Sequence, residues 1–137
     1  MVRYSRQREA IKNQVSNRGD HPTAETLYAE LKTSFPELSL ATVYRNLRQL
    51  VEAGEIVRID AHGAARYDWN VEPHSHFFCS ECGCVVDMPE ADGSIPAELV
   101  EQFDGTIEAA ATNYYGICAE CRAKMLKEID KANKILN

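Results

Sequence analysis

The sequence lacks a long hydrophobic run. The 137 residues contain no apolar segment long enough for a membrane-crossing helix. They also lack the pattern of a signal peptide, in which a charged segment and an apolar segment precede a cleavage site. We therefore expect a soluble, cytoplasmic protein with no membrane partner. The length is enough for one ordinary domain or for two small domains.

Positive charge is also in short supply, but its distribution is uneven. The net charge is −6. Residues 1–60 hold nine Lys and Arg against eight Asp and Glu, whereas residues 61–137 hold six against thirteen. An acidic total does not exclude nucleic acid as a partner, because phosphate binding depends on a local basic face. The change of composition predicts two parts with different roles.

The first part has the pattern of three helices followed by a hairpin. Candidate N-caps precede each helix, and helix breakers follow each one: Ser5, Thr23 and Ser39, then Gly19, Pro36 and Gly54. Residues 56–69 then resemble two strands joined by a turn at 61–63. This is the order of a winged helix–turn–helix domain, in which the third helix enters the major groove and the hairpin tip lies along the DNA backbone. Beyond a short linker the pattern is strand, strand, helix, strand, helix.

Five cysteines in an intracellular chain favour metal or redox chemistry over disulfides. Cys79 and Cys82 form one Cys-x-x-Cys pair, and Cys118 and Cys121 form another, each where a strand turns. Four thiolates complete a tetrahedral zinc site and leave no open position, so such a site is structural. Buried free cysteines or a redox dithiol are the alternative. Cys84 has no partner at ligand spacing, and we expect a small, partly buried residue there.

Imidazole and carboxylate groups predict a second site. His74 and His76 share one face of a strand, Asp68 lies on the return strand of the predicted hairpin, and Asp87 lies on the strand next to the histidines. Taken singly, these residues and His21 also fit cap, turn or strand-end roles. If the five converge, their nitrogen and oxygen donors suit Fe(II), Mn(II) or Zn(II), and the carboxylates favour iron and manganese. Such a site would join the two parts of the chain and clamp the DNA-binding part in one orientation.

Four segments together resemble the ferric uptake regulator (Fur) family of bacterial metal-dependent repressors: GDHPTAETLYAEL, SLATVYRNLRQLVEAGEI, ARYDWN followed by HSHFFCSECG, and YYGICAEC. The resemblance covers nearly the whole chain. It implies an α+β fold, with a winged-helix domain at residues 1–70, a hinge at 71–73 and a small α/β dimerisation domain with a four-cysteine zinc site at 74–137. It further implies a homodimer on a palindromic, A/T-rich DNA operator, a structural Zn²⁺ ion and a regulatory Fe²⁺ or Mn²⁺ ion, with no small organic substrate.

Within that family the similarity is greatest to the peroxide-sensing branch. The regulatory ligands of that branch fall on His21, Asp68, His74, His76 and Asp87. In the branch, peroxide reacts with bound Fe(II) and the oxidant modifies a histidine ligand, which loosens the clamp and releases DNA. The residues that correspond to the oxidised histidines are His21 and His74. Manganese in the same site gives a repressor that does not respond to peroxide.

Two other functions remain open at this point. The first is a sensor of iron or zinc supply from the same family, which ignores peroxide. The second is a small non-haem iron enzyme, because two histidines and a carboxylate can form a facial triad. The absence of a cofactor motif and the presence of a winged-helix pattern argue against the enzyme.

The third predicted helix supplies candidate DNA contacts. We expect Arg45 to contact a base edge, because a guanidinium can bind guanine through two hydrogen bonds. Tyr44 could pack on a thymine methyl or reach a phosphate, and Arg48 faces the same way. Phosphate contacts are expected from a further set: Arg3, Arg6, Arg8 and Thr42.

Overall fold

The computed structural model describes residues 5–89 and 95–136. In these ranges the elements run α1 (Arg6–Val15), α2 (Ala24–Leu31), α3 (Leu40–Glu52), β1 (Val57–Asp60), β2 (Ala65–Asp68), β3 (Ser75–Cys79), β4 (Val85–Met88), α4 (Ala97–Gln102), β5 (Asn113–Gly116) and α5 (Ala119–Leu136). Among the described helices, none combines the length and apolar character that spanning a membrane requires. The α+β class expected from the sequence is confirmed.

The first three helices begin where the sequence predicts. At each N-terminus a hydroxyl oxygen accepts a hydrogen bond from the backbone N–H three residues later, which satisfies a donor that the helix itself leaves unpaired. The three caps are Ser5, Thr23 and Ser39. The polar cap residues therefore fix where α1, α2 and α3 start.

One hydrophobic core holds these helices and the first hairpin together. The apolar stripe of α3 is buried, with Val43 and Leu47 at 0% exposure. It packs with Ile11 and Val15 of α1 and Leu27 of α2. Strands β1 and β2 pair antiparallel with each other. Three helices and a two-stranded sheet follow one another in the order expected of a winged helix.

The second part of the chain has a sheet with little cover. Strand β3 lies in the centre, antiparallel to β4 and parallel to β5. The sequence pattern predicts a strand over 106–117, but only Asn113–Gly116 pairs with β3. From residue 122 to 135, every side chain of α5 is exposed. Tyr115 of β5 stacks on Phe78, with ring centroids 5.4 Å apart, but stays 74% exposed, so the described residues of this chain leave most of the apolar surface of β5 and α5 uncovered.

The turn of the first hairpin lies against the second part of the chain. Gly83 is buried, and a Cβ built on it would be 2.6 Å from the backbone oxygen of His62. Gly83 also has a φ of +77°, which side-chain-bearing residues rarely adopt. The sequence predicts that this turn lies along DNA, and that role stays a prediction. In this structure the turn contacts the loop that carries the cysteines.

We expect Gly83→Ala to destabilise the protein more than Gly54→Ala. Gly54 has a similar φ of +73°, but nothing lies within 4 Å of its added Cβ. The left-handed backbone costs an alanine about 1 kcal/mol at either position, and the forced contact with His62 adds about 1–3 kcal/mol at Gly83 alone. Chemical denaturation of both variants measures the difference. Equal losses of stability would show that the hairpin turn does not rest on Gly83 in solution.

Candidate metal centres and DNA-binding face

The backbone before α2 brings His21 to the end of β2. Thr23 forms an antiparallel bridge with Arg66, and the Tyr67 N–H donates to the Pro22 carbonyl oxygen over 3.0 Å. Continued antiparallel pairing places residue 21 opposite residue 68. His21 has a φ of +49°, a strained value for a residue with a side chain. The surrounding bridge and hydrogen bonds hold this conformation.

Strand pairing brings the remaining ligand candidates to the same place. His76 and Asp87 are direct partners in the β3–β4 register. His74 lies just before β3, two residues from His76, so both rings reach the same face. Asp68 ends β2 and is almost completely buried, at 2% exposure. The segment before α2, the end of β2, the start of β3 and β4 therefore meet at one point.

The five side chains predicted from the sequence converge. One donor atom from each lies within 4.8 Å of the donor atoms of the other four. His21 Nε2 is 2.9 Å from Asp87 Oδ1 and 3.2 Å from Asp68 Oδ2. His74 Nε2 is 3.0 Å and 2.8 Å from the same two oxygens. His76 Nε2 is 3.3 Å from Asp87 Oδ1 and 3.4 Å from Asp68 Oδ2.

Backbone carbonyls orient two of the imidazoles. His21 Nδ1 lies 3.0 Å from the Val85 carbonyl oxygen, and His74 Nδ1 lies 2.7 Å from the Glu72 carbonyl oxygen. A carbonyl oxygen accepts only, so each Nδ1 carries the proton and each neutral ring presents the lone pair of Nε2 to the cluster. This is the arrangement that metal-binding histidines adopt.

The cluster is electrostatically coupled. Burial raises the pKa of Asp68, but His21, the Asn70 N–H and His76 outweigh that effect and hold the pKa well below its ordinary value. Burial lowers the pKa of His21, but Asp68 and Asp87 raise it by more than burial lowers it. The net shift of the pKa of His21 is therefore upward. The pKa of His74 is also shifted upward against burial, by the Glu72 carbonyl and the two carboxylates. Burial dominates at His76 and lowers its pKa.

The donor set fits a divalent transition metal. Nitrogen and oxygen ligands lie about 2.0–2.2 Å from such an ion, so neighbouring ligands are about 3 Å apart. The separations between nitrogen and oxygen donors here run from 2.8 to 3.4 Å. Three imidazoles with two carboxylates suit iron and manganese as well as zinc. His21, Asp68, His74, His76 and Asp87 would hold the ion.

The thiols form a second cluster, which includes the four cysteines predicted from the sequence. Sulfurs of Cys79, Cys82, Cys84 and Cys118 all lie within 4.8 Å of one another. The Cys121 thiol hydrogen-bonds to the thiols of Cys118, Cys82 and Cys79, and the contact with Cys118 together with burial raises the pKa of Cys121 to about 12. Cys84 is partly buried, as the sequence analysis expects, and its sulfur lies beside the paired thiols. Its position follows from the hairpin, which makes Cys79 and Cys84 direct neighbours across the strands.

Backbone N–H groups favour the thiolate form of Cys79. The N–H groups of Cys82 and Cys118 point at Cys79 Sγ, at 3.5 Å and 3.4 Å, and lower its pKa to about 6. The Cys121 N–H acts similarly on Cys118, whose pKa is also lowered. Thiolates are the form that binds zinc, so the cluster favours the ligand state of two of its members.

The exposed face of α3 carries the predicted DNA contacts. Arg45 and Arg48 are both exposed there. The Tyr44 hydroxyl donates to Glu25 over 2.5 Å. Thr42 lies in the Ser39 cap, and Arg8 donates to Gln49 over 3.1 Å. Arg6 is exposed at the start of α1, and Arg3 lies outside the described residues.

Without metal, we expect the stability of the protein to fall as pH rises above about 6.5. A histidine whose folded pKa is raised contributes stability below its unfolded pKa, and that contribution disappears as pH rises through the folded pKa. His21 and His74 behave in this way, whereas the lowered pKa of His76 opposes them. Asp68→Asn removes a cause of both upward shifts and should flatten the dependence.

Chemical denaturation in the presence of a chelator, at pH 6 and pH 8, tests this expectation. With Mn(II) added, the dependence should reverse, because metal binding requires deprotonated imidazoles. If stability depends on pH equally in the Asp68→Asn variant and in the unmodified protein, Asp68 does not raise the pKa values of His21 and His74.

The chain is similar to proteins of one known family. The profile of the ferric uptake regulator family matches residues 1–110. The peroxide-responsive repressor PerR of Staphylococcus epidermidis is 37% identical over 126 residues, covering 88% of this chain and 82% of that protein. PerR of Staphylococcus aureus is 34% identical and covers 90% and 84%.

Solved structures that are similar to this one include members of the same family. The peroxide stress regulator of Campylobacter jejuni superposes with a TM-score of 0.68 at 30% identity, covering 84% of this chain and 88% of that one. The ferric uptake regulator of Francisella tularensis, solved with iron, gives a TM-score of 0.72 at 25% identity and covers 88% and 95%. Proteins of this family are regulators rather than enzymes, and they bind DNA operators as dimers. The chain therefore belongs to the ferric uptake regulator family and is a metal-responsive transcriptional repressor.

Proposed function

We propose that this repressor senses peroxide through the His and Asp cluster. One observation carries the proposal: His21, from the helical part, lies 2.9 Å from Asp87 in the second sheet, and Asp68, His74 and His76 complete the same cluster. An ion held there by ligands from both parts fixes their relative orientation. Loss of a ligand would release the DNA-binding part.

The proposal assigns two metals to this chain. The thiol cluster would hold a structural Zn²⁺ ion, and the His and Asp cluster would hold a regulatory Fe²⁺ or Mn²⁺ ion. The donor types support this division, because soft thiolates select zinc while carboxylates favour iron and manganese. Among structural neighbours, an iron-bound regulator and a zinc-bound manganese uptake regulator share the fold. The chain's own site residues are thus suited to both ions.

The clamp works through side chains that are already in place. The two rings that backbone carbonyls orient, His21 and His74, need little reorganisation to bind an ion. Little ordering entropy is therefore lost on binding, and more of the binding energy can favour the DNA-binding orientation. Coupling between two sites is typically about 1–3 kcal/mol, a change of roughly 5- to 150-fold in affinity.

The same residues provide the response to peroxide. These residues would hold Fe(II), and the bound ion would supply the reducing chemistry that cleaves the O–O bond of peroxide. His21 and His74 present Nε2 to the centre of the cluster, so their rings are within reach of an oxidant produced there. An oxygen atom added to either ring changes its donor properties. The residue then ceases to bridge the two parts, and the orientation that the ion enforced is lost.

Mass spectrometry of the iron-loaded protein after exposure to peroxide tests the proposal. We expect one added oxygen atom on the tryptic peptide 19–32, which contains His21, or on the peptide 67–122. The second peptide holds both His74 and His76, so fragment sequencing must separate them. DNA binding should fall in proportion to the modified fraction.

The manganese-loaded protein is the matched control and should show neither change. Binding that depends on metal but survives peroxide, without any added oxygen, would contradict peroxide sensing. That result would support a sensor of metal supply built on the same cluster.

The proposal includes a homodimer that binds a palindromic, A/T-rich operator. The support is the uncovered apolar surface of β5 and α5. Tyr115 is 74% exposed and Ile135 is 85% exposed, and Leu126 and Ile129 are more than half exposed. A second copy would cover this surface, and its twofold symmetry would require two related half-sites in the DNA.

We expect Arg45→Ala to reduce sequence discrimination. Arg45 is exposed on α3, where a guanidinium can bind a base edge, and losing such a contact costs about 1–3 kcal/mol of discrimination. Fluorescence anisotropy with operator DNA and random DNA, at several salt concentrations, gives the measurement.

Arg6→Ala serves as the control, because a phosphate contact should weaken both DNAs equally and reduce the salt slope by about 1. If Arg45→Ala instead behaves like Arg6→Ala, Arg45 contacts the backbone and not a base.

A further inference from the structure

The segment between α1 and α2, which carries His21, has an unusual backbone. Two of its residues, Asn17 and His21, have positive φ angles of +59° and +49°, which residues with a side chain rarely adopt. Pro22 follows His21 and restricts the backbone of that residue further. A conformation of this kind persists only where surrounding contacts hold it. The segment therefore needs outside support to keep the His21 ring in the cluster.

Part of this support comes from the strand that also carries Asp68. Arg66 Nη1 donates a hydrogen bond to the His21 carbonyl oxygen over 3.0 Å and lies 3.5 Å from the Asp20 carbonyl oxygen. A hydrogen bond from a charged donor is stronger than one between neutral groups. Alternate residues of a strand share a face, so Arg66 and Asp68 extend from β2 to the same side. Arg66 thus holds the backbone of His21 while Asp68 Oδ2 lies 3.2 Å from its Nε2.

A second side chain, just beyond the end of β2, holds the same segment. The Trp69 indole N–H donates to the Arg18 carbonyl oxygen over 3.1 Å. The Tyr67 backbone N–H donates to the Pro22 carbonyl oxygen over 3.0 Å. Donors from residues 66–69 therefore meet carbonyl oxygens along the whole of residues 18–22.

The opposite side of the segment is fixed to the helical part. The Arg18 guanidinium donates to both carboxylate oxygens of Asp20, at 2.8 Å each, and to Glu30 of α2 over 3.1 Å. These ion pairs do not involve β2. Removing the donors of Arg66 and Trp69 would therefore release the segment from β2 while leaving it attached to α2.

We propose that Arg66 and Trp69 are positioning residues for the regulatory ligand His21. Each acts by holding backbone carbonyl oxygens of residues 18–21 against the end of β2. The inference rests on the proposed function, because it concerns the ion that His21 would bind. Without these donors the backbone relaxes to an unstrained conformation and the His21 ring leaves the cluster. The other four ligand candidates stay in place, so binding weakens without being abolished.

Titration of the purified protein with Mn(II), followed by the electron paramagnetic resonance signal of the free ion, measures the effect. We expect Arg66→Met to weaken Mn(II) binding by about 10- to 100-fold, the usual result of losing a group that orients a metal ligand. Arg66→Lys should recover part of the affinity, because an ammonium group can also donate to a carbonyl oxygen. Trp69→Phe keeps an aromatic ring but loses the N–H, and it should weaken binding to a smaller extent.

The His21→Ala variant shows whether the effect passes through His21. In that background Arg66→Met and Trp69→Phe should cause no further loss of affinity, because the ring that they position is absent. A loss that persists in the His21→Ala background overturns the inference, as does unchanged affinity in both single variants. If His21→Ala itself binds Mn(II) as tightly as the unmodified protein, His21 is not a ligand, and the proposed clamp fails together with the inference.

Arg58→Met is the matched control. Arg58 lies on β1 of the same hairpin, with a side chain that is more than half exposed and paired with Asp60. Its loss should leave Mn(II) affinity unchanged, and an equal loss of affinity in Arg58→Met and Arg66→Met would show a general effect of the hairpin and overturn the inference. Chemical denaturation with a chelator present checks that each variant folds. If Arg66→Met does not fold, the comparison of Trp69→Phe with and without His21→Ala decides in its place.

Discussion

The contact between His21 and the two carboxylates Asp68 and Asp87 is the interaction on which the regulatory part of this structure depends. It joins the segment before α2 to the end of β2 and to β4. Most of the hydrophobic core lies on one side of this contact, within residues 11–67. Polar groups, rather than apolar packing, therefore connect the two parts at this point. A connection of this kind responds to an ion or to a change in charge far more than a packed core does.

The thiol cluster and the His and Asp cluster connect different segments of the chain. The thiol cluster lies within the second part, where it ties the β3–β4 hairpin to the segment that starts α5. An ion there would stabilise the local fold of the second part. The His and Asp cluster spans the boundary between the parts, so an ion bound there would bear on the position of α3 relative to the second sheet. The hairpin turn on Gly83 is a further contact across that boundary, close to the thiol cluster. The loop that carries the cysteines and the first hairpin are thus physically connected.

The uncovered surface of the second part is consistent with a protein that is complete only as an assembly. Strand β5 pairs with β3 on one side, and its apolar side chains and those of α5 are exposed in the single chain. Exposed apolar patches of this kind mark interaction sites. Families of regulators that bind DNA as dimers need such a surface, because the two DNA-binding parts must be held at a fixed separation.

Local sequence signals determined much of the secondary structure of this protein. Capping hydroxyls set the starts of α1, α2 and α3, and the 3–4 spacing of Val43, Leu47 and Leu50 defined the buried face of α3. The five His and Asp residues of the regulatory cluster were identified from spacing and family resemblance, and the structure brings all five together. Only the tertiary structure decided how they meet, because the meeting depends on the Thr23–Arg66 bridge and on the β3–β4 register. The same register placed Cys84 opposite Cys79, beside the paired thiols, because distance across a hairpin follows strand pairing and not position along the chain.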